Sequence, residues 1–562
     1  MFNQGSVFAR AFLYLTLYSI CVISIIDKLN FDKEEDVTMR QTIALTVPYS
    51  NTHRTAEENL GLGYLAATLR LAGFRVEIID GWLENLSHEE IVNCVVALPN
   101  LLLVGISAYR SSLENAARLV RDIKNRISIP IVAGGYGPTF FDEDFLAAGF
   151  DYVLRGEGEK SLSTLACVLS ESGLILENVP GISMLSMGKV VRGSMSHCVE
   201  HLDSLPFPAR DTVYSTIHSK NPISVSTSRG CLGSCLFCAV SAFARQHDGT
   251  RWRERSVKNI VNELEMLHQK YGAKCFKFVD DSFLEPPRGE IWAESFSNEL
   301  YLRGLTEISF RTQVRADRLT NKIVEILSGC GWFATGLGVE NWSVSALKRM
   351  NKGASIADNF LAMEYLERHG VYVQMGMILF DWDTTLVELK ENLGILKDLS
   401  WPVTKGIFTE TYVSAGTPNE RLLLSRSDVQ QKRSVLGHLE YRPCVPEVDV
   451  VYEALRLWHR SHSSVYDHAI NPITAPKAID RSMYRKYHDI CRRLYSMDLV
   501  FFERVLEMAE HGISKLDVQT ETMVQVSDFQ TDYERIEREI VLLDQVCGIG
   551  YSAYPNPFLG ET

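Results

Sequence analysis

The sequence alternates short apolar runs with helix-period stretches, and this alternation limits the chain to folds built on parallel sheets. Between residues 42 and about 170 the apolar runs are TIALTV (42–47), VEIID (76–80), LLLVGIS (101–107), IPIVAGG (129–135) and YVL (152–154). The stretches between them place apolar residues at helical spacing. Strands that alternate with helices form a parallel sheet covered on both faces. The spacing predicts an α/β domain of the flavodoxin-like, doubly wound type, with its ligand site at the carboxyl ends of the strands.

A second alternation begins near residue 223, after the Pro-containing segment HLDSLPFPARD (201–211) has interrupted the first. Its strand-like runs are ISVST (223–227), KCFKFVD (274–280), ISFRTQV (308–314), FATGLGVE (333–340), VYVQMGMILF (371–380) and TKGIFTETYV (404–413). Six such strand–helix units predict a partial (β/α)6 barrel of the TIM type. Beyond about residue 425 amphipathic helical segments dominate, so we expect a mainly helical C-terminal region.

These patterns divide the 562 residues into five parts. We expect an N-terminal extension at 1–38, the doubly wound domain at 39–185, a linker at 186–215, the barrel at 216–425 and a helical region at 426–562. The last part is expected to cap the barrel mouth and to shape a substrate pocket.

The extension contains an uncharged run, AFLYLTLYSICVISII (11–26). The run is shorter than the ~20 apolar residues that a membrane-spanning helix needs, and no small-residue cleavage pattern follows it. We favour an upstream extension before a true start at Met39. A membrane anchor is the second interpretation and a signal peptide the third, so membrane association stays open.

Composition excludes some functional classes. The chain is 46% hydrophobic and 23% charged, the mix of an ordinary folded protein, and its net charge of −13 argues against a nucleic-acid binder. Its twelve cysteines are too sparse for a secreted disulfide scaffold. We therefore expect a reducing, cytoplasmic location.

Three cysteines stand apart from the rest, since Cys231, Cys235 and Cys238 have the spacing C-x3-C-x2-C on a loop after the first predicted barrel strand. Thiolates suit iron–sulfur clusters, zinc or copper. A structural zinc site needs a fourth ligand, which His247 could supply. Three thiolates on a cubane cluster would instead leave one iron open for a substrate or cofactor.

This segment, with Phe237 before the last cysteine, resembles the signature of the radical S-adenosylmethionine (SAM) superfamily. The resemblance implies that the three cysteines hold a 4Fe-4S cluster, whose open iron binds SAM and whose electron cleaves SAM to a 5′-deoxyadenosyl radical. KFVDDSFL (277–284), FRTQVRAD (310–317), GLGVEN (336–341), MNKG (350–353) and AGTPNERL (415–422) resemble further segments of that barrel. By this resemblance the SAM-binding residues are Asp280, Asp281, Gln313, Arg315 and Glu340. For the carboxylates, helix capping or a surface position is the alternative.

The first domain resembles the cobalamin-binding domain that precedes the barrel in one branch of this superfamily. The matching segments are LGLGYLAATLRLAGF (60–74), VGIS (104–107), IVAGGYGPT (131–139) and DYVLRGEGE (151–159). The resemblance places cobalamin against Ser107, Gly134 and Gly135. The D-x-H-x-x-G motif that supplies an axial histidine in other cobalamin proteins is missing, and we do not interpret His53 as a cobalt ligand. A domain that has lost cobalamin is the alternative.

The resemblance thus implies an enzyme with three cofactors: a 4Fe-4S cluster, SAM and cobalamin. The leading hypothesis is methylation of an unactivated carbon, or of phosphorus, in a small-molecule or natural-product intermediate by way of the 5′-deoxyadenosyl radical and methylcobalamin. A cobalamin-dependent oxidative cyclase or ring-rearrangement enzyme is the alternative, and a non-catalytic cobalamin sensor is a remote one. We expect an external electron donor of the flavodoxin or ferredoxin type and no nucleic-acid partner.

Overall fold

In the computed structural model of the protein, the described residues are 40–50, 57–171, 175–477 and 479–549. The apolar run 11–26, Met39 and His53 lie outside them. In the described part of the chain, no helix is both long and apolar enough to cross a membrane.

The first domain is built on a seven-stranded sheet in the order β2-β1-β3-β4-β5-β6-β7. Its strands are β1 Thr42–Thr46, β2 Arg75–Ile79, β3 Leu101–Ser107, β4 Ile131–Gly134, β5 Tyr152–Leu154, β6 Ile182–Ser186 and β7 Lys189–Arg192. Its helices are α1 Leu60–Leu71, α2 His88–Val96, α3 Leu113–Lys124, α4 Tyr136–Phe140, α5 Asp142–Ala147 and α6 Gly158–Ser170. The five strands predicted from the sequence pair in parallel, in the flavodoxin-like order 2-1-3-4-5, so this part of the fold prediction is confirmed.

The hairpin of β6 and β7 extends this sheet, with β6 antiparallel to β5. Met187 and Gly188 form its two-residue loop, and both have positive φ, +50° and +74°. Such a loop matches the twist of two antiparallel strands. β7 therefore belongs to the first sheet although it lies in the segment 186–215 that the prolines led us to interpret as a linker.

The second domain is a five-stranded parallel sheet in the order β16-β15-β14-β13-β9, curved into a partial barrel. Between it and the first domain lie β8 Ser196–His197 and α7 Val213–His218. The strands that follow are β9 Ile223–Val225, β10 Ser228–Gly230, β11 His247–Asp248, β12 Trp252–Glu254, β13 Cys275–Phe278, β14 Ser309–Arg315, β15 Trp332–Glu340 and β16 Tyr372–Met377. The helices are α8 Ala239–Phe243, α9 Val257–Tyr271, α10 Glu290–Leu302, α11 Asn321–Gly329, α12 Val344–Arg349, α13 Ile356–Arg368, α14 Leu386–Asp398 and α15 Pro418–Leu424.

The sixth predicted strand, 404–413, is not continuous: isolated parallel bridges join Gln374 to Val403 and Phe380 to Glu410, and an isolated antiparallel bridge joins Val413 to Leu439. Gly406, with φ +103°, lies between these bridges. That conformation interrupts the extended backbone that a continuous strand requires.

Local sequence signals explain where the barrel helix α9 begins and ends. α9 begins at Ser256, whose side chain accepts a hydrogen bond from the N–H of Asn259, and ends at Gly272 in a left-handed conformation. Its buried residues Ile260 and Leu264 pack into the core that covers the outer face of the sheet.

The C-terminal region contains the β17 Gln431–Arg433 and β18 Leu439–Tyr441 hairpin and three long helices, α16 Pro446–Thr474, α17 Arg481–Glu510 and α18 Lys515–Cys547. α16 packs against β15 and β16, and the helices share one apolar core with the barrel. The prediction of a mainly helical C-terminal region is confirmed.

Candidate functional site: a cavity between two domains

The cysteine loop starts at the end of β10, and its path depends on glycine. Gly230 has φ +86°, and a Cβ there would overlap the carbonyl oxygen of Arg251. The loop ends at Cys238, which directly precedes α8. A tight turn out of the strand therefore presents Cys231, Cys235 and Cys238 at the carboxyl end of the barrel.

None of the three cysteines is in a disulfide. The N–H of Gly233 donates to Sγ of Cys231 at 3.2 Å, and Nη1 of Arg315 lies 3.5 Å from Sγ of Cys235. Burial is the largest cause that raises the pKa of Cys231, to about 12, so metal binding there displaces a proton. A positive charge and an amide donor beside soft thiolates fit an anionic iron–sulfur cluster.

Within the described ranges, no group of three or more His, Cys, Asp and Glu side chains could hold a single metal ion. The thiols of a cubane bind different iron atoms, so they need not converge on one point. His247, the fourth ligand in the zinc interpretation, lies in β11 and lines the cavity described below.

Two other segments of the barrel domain form hydrogen bonds with the cysteine loop. The N–H of Leu236 donates to the carbonyl of Met350 at 3.0 Å, and Nδ2 of Asn351 donates to the carbonyl of Ser234 at 2.9 Å. The N–H of Asn419 donates to the carbonyl of Leu236 at 3.1 Å. The MNKG and AGTPNERL segments therefore fix the loop through hydrogen bonds to its backbone.

The two adjacent aspartates after β13 have different surroundings. Asp280 is 2% exposed and accepts hydrogen bonds from the N–H of Thr227 at 2.6 Å and from Oγ of Ser228 at 2.9 Å. Asp281 is exposed to the cavity, where its Oδ2 accepts from the N–H of Gly230 at 3.0 Å. Desolvation is the largest cause that raises the pKa of Asp281. Asp280 thus holds the strand ends together, and Asp281 is the aspartate available to a ligand.

The other SAM-site candidates from the sequence lie on β14 and β15. Gln313 and Arg315 project from the same face of β14, and Arg315 also donates to the carbonyl of Lys352 at 2.7 Å. Glu340 ends β15 with φ +64°, a conformation that non-glycine residues seldom adopt. Such strain concentrates at functional sites.

The cobalamin candidates lie at the carboxyl ends of β3 and β4. Ser107 pairs with Gly134 across the two strands. Gly135 has φ +100°, and a Cβ there would lie 3.2 Å from the carbonyl oxygen of Ala108 and 3.3 Å from Oγ of Ser107. Glycine at this position therefore permits the close approach of the turn after β4 to the end of β3.

A cavity of about 580 Å³ lies between these strand ends and the residues that flank the cysteine loop, Gly230 and Ala239. Ser107, Gly134 and Gly135 line it from the first domain, whereas Asp281, Gly230 and α8 line it from the barrel. Of the sequence-predicted site residues, only Ser107, Gly134, Gly135 and Asp281 line this cavity. The other seven do not line it: Cys231, Cys235, Cys238, Asp280, Gln313, Arg315 and Glu340.

Ion pairs between the domains border the cavity, and sequence reasoning missed them. Glu157 Oε1 lies 2.6 Å from Arg253 Nη2, and Glu159 Oε1 lies 2.7 Å from Arg229 Nη2. Burial alone would raise the pKa of Glu157, but the hydrogen bond from Arg253 and the charge of Arg229 hold it well below its ordinary value. The signal was present as two glutamates in GEGE (156–159), with Arg229 in TSRG (227–230) and Arg253 in RWRER (251–255).

Tyr136 makes a second link between the domains. Its hydroxyl donates to the carbonyl of Ala415 at 3.0 Å, and its ring stacks on Phe243 of α8 with 6.2 Å between centroids. Because Tyr136 directly follows Gly135, the cobalamin candidates are tied to the segment that braces the cysteine loop.

Comparison with known families agrees with this arrangement. A family model for the B12 binding domain matches residues 49–166, and one for the radical SAM superfamily matches residues 225–385. The chain belongs to the cobalamin-binding branch of the radical SAM superfamily. It is therefore a radical SAM enzyme, and the cofactors of its family are a 4Fe-4S cluster, SAM and cobalamin.

Three of the curated relatives are named as methyl-transferring enzymes or as a cyclase. The chain is 29% identical over 347 residues to an uncharacterized methyltransferase of Pyrococcus horikoshii (60% of this chain, 73% of the relative). It is 28% identical over 341 residues to an anaerobic magnesium-protoporphyrin IX monomethyl ester cyclase of Synechocystis (59% and 65%). It is 25% identical over 475 residues to a hopanoid C-3 methylase of Methylococcus capsulatus (81% and 85%). The chain spans just under two thirds of the cyclase.

Among solved structures, the chain resembles that of the cobalamin-dependent SAM radical enzyme OxsB with aqua-cobalamin bound. The TM-score is 0.72 at 20% identity, over 93% of this chain and 83% of OxsB. This likeness confirms the predicted fold across both domains and the C-terminal helices.

Proposed function

We propose that the protein is a cobalamin-dependent radical SAM methyltransferase that acts on an unactivated carbon, or on phosphorus, of a small molecule. The observation that carries this proposal is the cavity between the two domains, which is lined by the cobalamin candidates on one side and by Asp281 and the residues that flank the cysteine loop, Gly230 and Ala239, on the other. When bound, the cluster and SAM supply a radical that abstracts hydrogen, and cobalamin supplies a methyl group.

In this proposal each candidate residue has a defined role. Cys231, Cys235 and Cys238 hold the cluster, and the charge of Arg315 offsets the charge of the thiolates. Asp281, Gln313 and Glu340 bind SAM, whereas Asp280 positions Asp281. Ser107, Gly134 and Gly135 give cobalamin close access to the backbone.

The interdomain contacts keep the two halves of the site in register. Glu157 and Glu159 begin α6 on the cobalamin side, and their partners Arg253 and Arg229 flank the cysteine loop. Charged pairs that are largely removed from water fix geometry well, because breaking one leaves an uncompensated charge. Their proposed role is to hold the reacting groups at a fixed separation, which is a condition for efficient transfer.

The remaining assignments follow from this chemistry. We propose that an external flavodoxin- or ferredoxin-type protein supplies electrons and that the enzyme works in the reducing cytoplasm, in keeping with its sparse cysteines. We propose residues 39–185 as the cobalamin-binding domain, 216–425 as the radical SAM core and 426–562 as the substrate-side cap.

The test uses SAM labelled with ¹³C in its methyl group and the reconstituted enzyme under anaerobic reduction, with a small-molecule extract as the substrate source. A methyltransferase forms S-adenosylhomocysteine as well as 5′-deoxyadenosine and places the label in a product. Label in a product that disappears when cobalamin is withheld supports the proposal. 5′-Deoxyadenosine without S-adenosylhomocysteine or labelled product contradicts it.

The second candidate is a cobalamin-dependent oxidative cyclase, which the similarity to the Synechocystis cyclase favours. Such an enzyme would form 5′-deoxyadenosine and a product that has lost hydrogen but gained no label. The same experiment therefore separates the two candidates.

A further inference from the structure

The inner face of the barrel carries an unusual layer of charge. On β14, Phe310 and Val314 are buried in the outer core, so the alternate residues Arg311 and Gln313 face the barrel interior. On β13, Phe276 and Phe278 lie in the same core and Lys277 faces inward. The strand pairing makes Lys277 and Arg311 direct neighbours. Adjacent parallel strands lie about 4.8 Å apart, so two cationic side chains share one level of the interior.

These cations have few acidic partners. Lys277 Nζ lies 3.0 Å from Glu57 Oε2, and Glu57 is also the acidic group that acts electrostatically on Arg311. Arg311 Nη2 donates to the neutral amide of Gln374 at 2.9 Å. Arg311 is 6% exposed, and in the described part of the chain its Nε has no hydrogen-bond partner.

A third cation lies behind this layer. Lys477, in the segment between α16 and α17, is 4% exposed and donates to the side chain of Asn221. Burial is the largest cause that lowers the pKa of Lys477, to about 8, and Lys277 adds to the effect. Three cations therefore share Glu57, and Asp544 acts on Lys477 as a second acidic group, although burying a cation without a full counter-charge is costly.

Open space lies directly above the charged layer. Val279, two residues beyond Lys277 on the same inner face, is 40% exposed. Gln313, two residues beyond Arg311, is also exposed. Val279 also lines the interdomain cavity, so the inner face of the barrel opens into that cavity. The charged layer thus forms a floor below this opening, one level down the strands.

We propose that this floor, formed by Lys277 and Arg311 with Lys477 behind them, binds an anionic group of the substrate: a phosphate, a phosphonate or a carboxylate. The proposal rests on the proposed function, since it names the substrate class of that enzyme. The planar Arg311 guanidinium suits two oxygens of such a group, and Lys277 adds a point charge.

The floor also restricts the length of the substrate. Arg311 is four residues before Arg315, which corresponds to about 13 Å along a strand. A substrate anchored at the floor therefore presents to the barrel mouth an atom several bonds away from its anionic group. A substrate held by side chains on β-strands has little freedom to move, which favours reaction at a single position.

The test measures anion binding to the holoenzyme with SAM present, so that the SAM site is filled. The probes are inorganic phosphate, methylphosphonate and acetate at constant ionic strength, and calorimetry gives each Kd. We expect one of the three anions to bind the wild type and to bind at least about tenfold more weakly to Arg311→Gln and Lys277→Met. Lys274→Met is the matched control, because Lys274 lies at the edge of the same strand and pairs with Glu307 on the surface.

Each outcome has a defined meaning. Equal binding by wild type and Arg311→Gln, or no binding of any probe, overturns the proposal. If Arg311→Gln does not fold, Arg311→Lys serves instead, and it should retain part of the affinity by keeping the charge. SAM cleavage without substrate should be unchanged in the control Lys274→Met. If the enzyme binds the anion but transfers no labelled methyl group, only the methyltransferase proposal is refuted. The two proposals can therefore fail independently.

Discussion

Lys352 Nζ lies 2.6 Å from Oε1 of Glu340, one of the proposed SAM-binding residues. Lys352 is 4% exposed, so Glu340 is its buried counter-charge. A Cβ on Gly338 would lie 2.8 Å from both of these atoms, so the pair can form only because that residue is glycine. One carboxylate oxygen is thus engaged, and the other remains to accept hydroxyl groups of a ligand.

We expect Glu340→Gln to weaken SAM binding by about tenfold, because the amide accepts fewer and weaker hydrogen bonds and leaves Lys352 without its counter-charge. Equilibrium dialysis of labelled SAM against the cluster-loaded enzyme measures this. Glu325→Gln is the control, since Glu325 forms an exposed pair with Lys322. Equal SAM affinity in the two variants would remove Glu340 from the site.

We expect Cys235→Ala to abolish the cluster and SAM cleavage but to preserve cobalamin binding, because the thiol and the cobalamin candidates belong to different domains. Iron content, visible absorbance and cobalamin stoichiometry are measured after anaerobic reconstitution. Cys94→Ala, which changes an exposed thiol on α2, should behave as the wild type. Loss of cobalamin with the cluster retained would contradict the domain assignment.

We expect Gly135→Ala to weaken cobalamin binding by roughly tenfold, because the methyl group would enter the space beside Ser107 and strain a backbone at φ +100°. Gly73→Ala is a matched control: φ there is +94°, and a Cβ would meet nothing within 4 Å. Both variants should lose about 1–2 kcal/mol of stability from the left-handed backbone. Spectroscopic titration with hydroxocobalamin measures the cobalamin affinity of each variant. Equal affinity of Gly135→Ala and Gly73→Ala would show that Gly135 serves the backbone conformation and does not contact cobalamin.

Much of this architecture was predictable from the sequence, because period-2 and period-3.6 patterns are local. The alternation of strand-like and helical segments predicts β1 to β5 in the first domain and β9 and β13 to β16 in the barrel. The 404–413 segment was predicted as a strand because its apolar residues alternate, but the conformation of Gly406 depends on tertiary contacts that no pattern reveals.

The site was predictable only where a motif is contiguous. Cys231, Cys235 and Cys238 lie within one short loop, so their spacing alone pointed to cluster chemistry. By contrast, Glu157 meets Arg253 across the domain boundary, and Lys352 reaches Glu340 from another segment. Such pairs depend on how distant segments pack. Asp280 and Asp281 looked equivalent in the sequence, and only burial distinguishes them.

The stability of the protein should depend on Lys477 at alkaline pH. The ordinary pKa of lysine is 10.5, and burial lowers that of Lys477 to about 8, so the unfolded chain holds this proton more tightly than the folded chain does. The wild type should therefore gain stability relative to Lys477→Met as the pH rises from about 8 to 10.5, by roughly 3 kcal/mol at ~1.4 kcal/mol per pH unit.

Thermal unfolding midpoints of the two proteins across pH 7–10.5 test this expectation. The groups that act on Lys477 are Glu57, Lys277, Asp544 and Cys275. Burial raises the pKa of Cys275 to about 11, above the range in which Lys477 titrates. Groups that titrate in both proteins contribute equally to the two midpoints, so their effect cancels in the difference between the wild type and Lys477→Met. A constant difference between the midpoints would mean that Lys477 keeps an ordinary pKa, and the charged floor would then be better hydrated than its burial indicates.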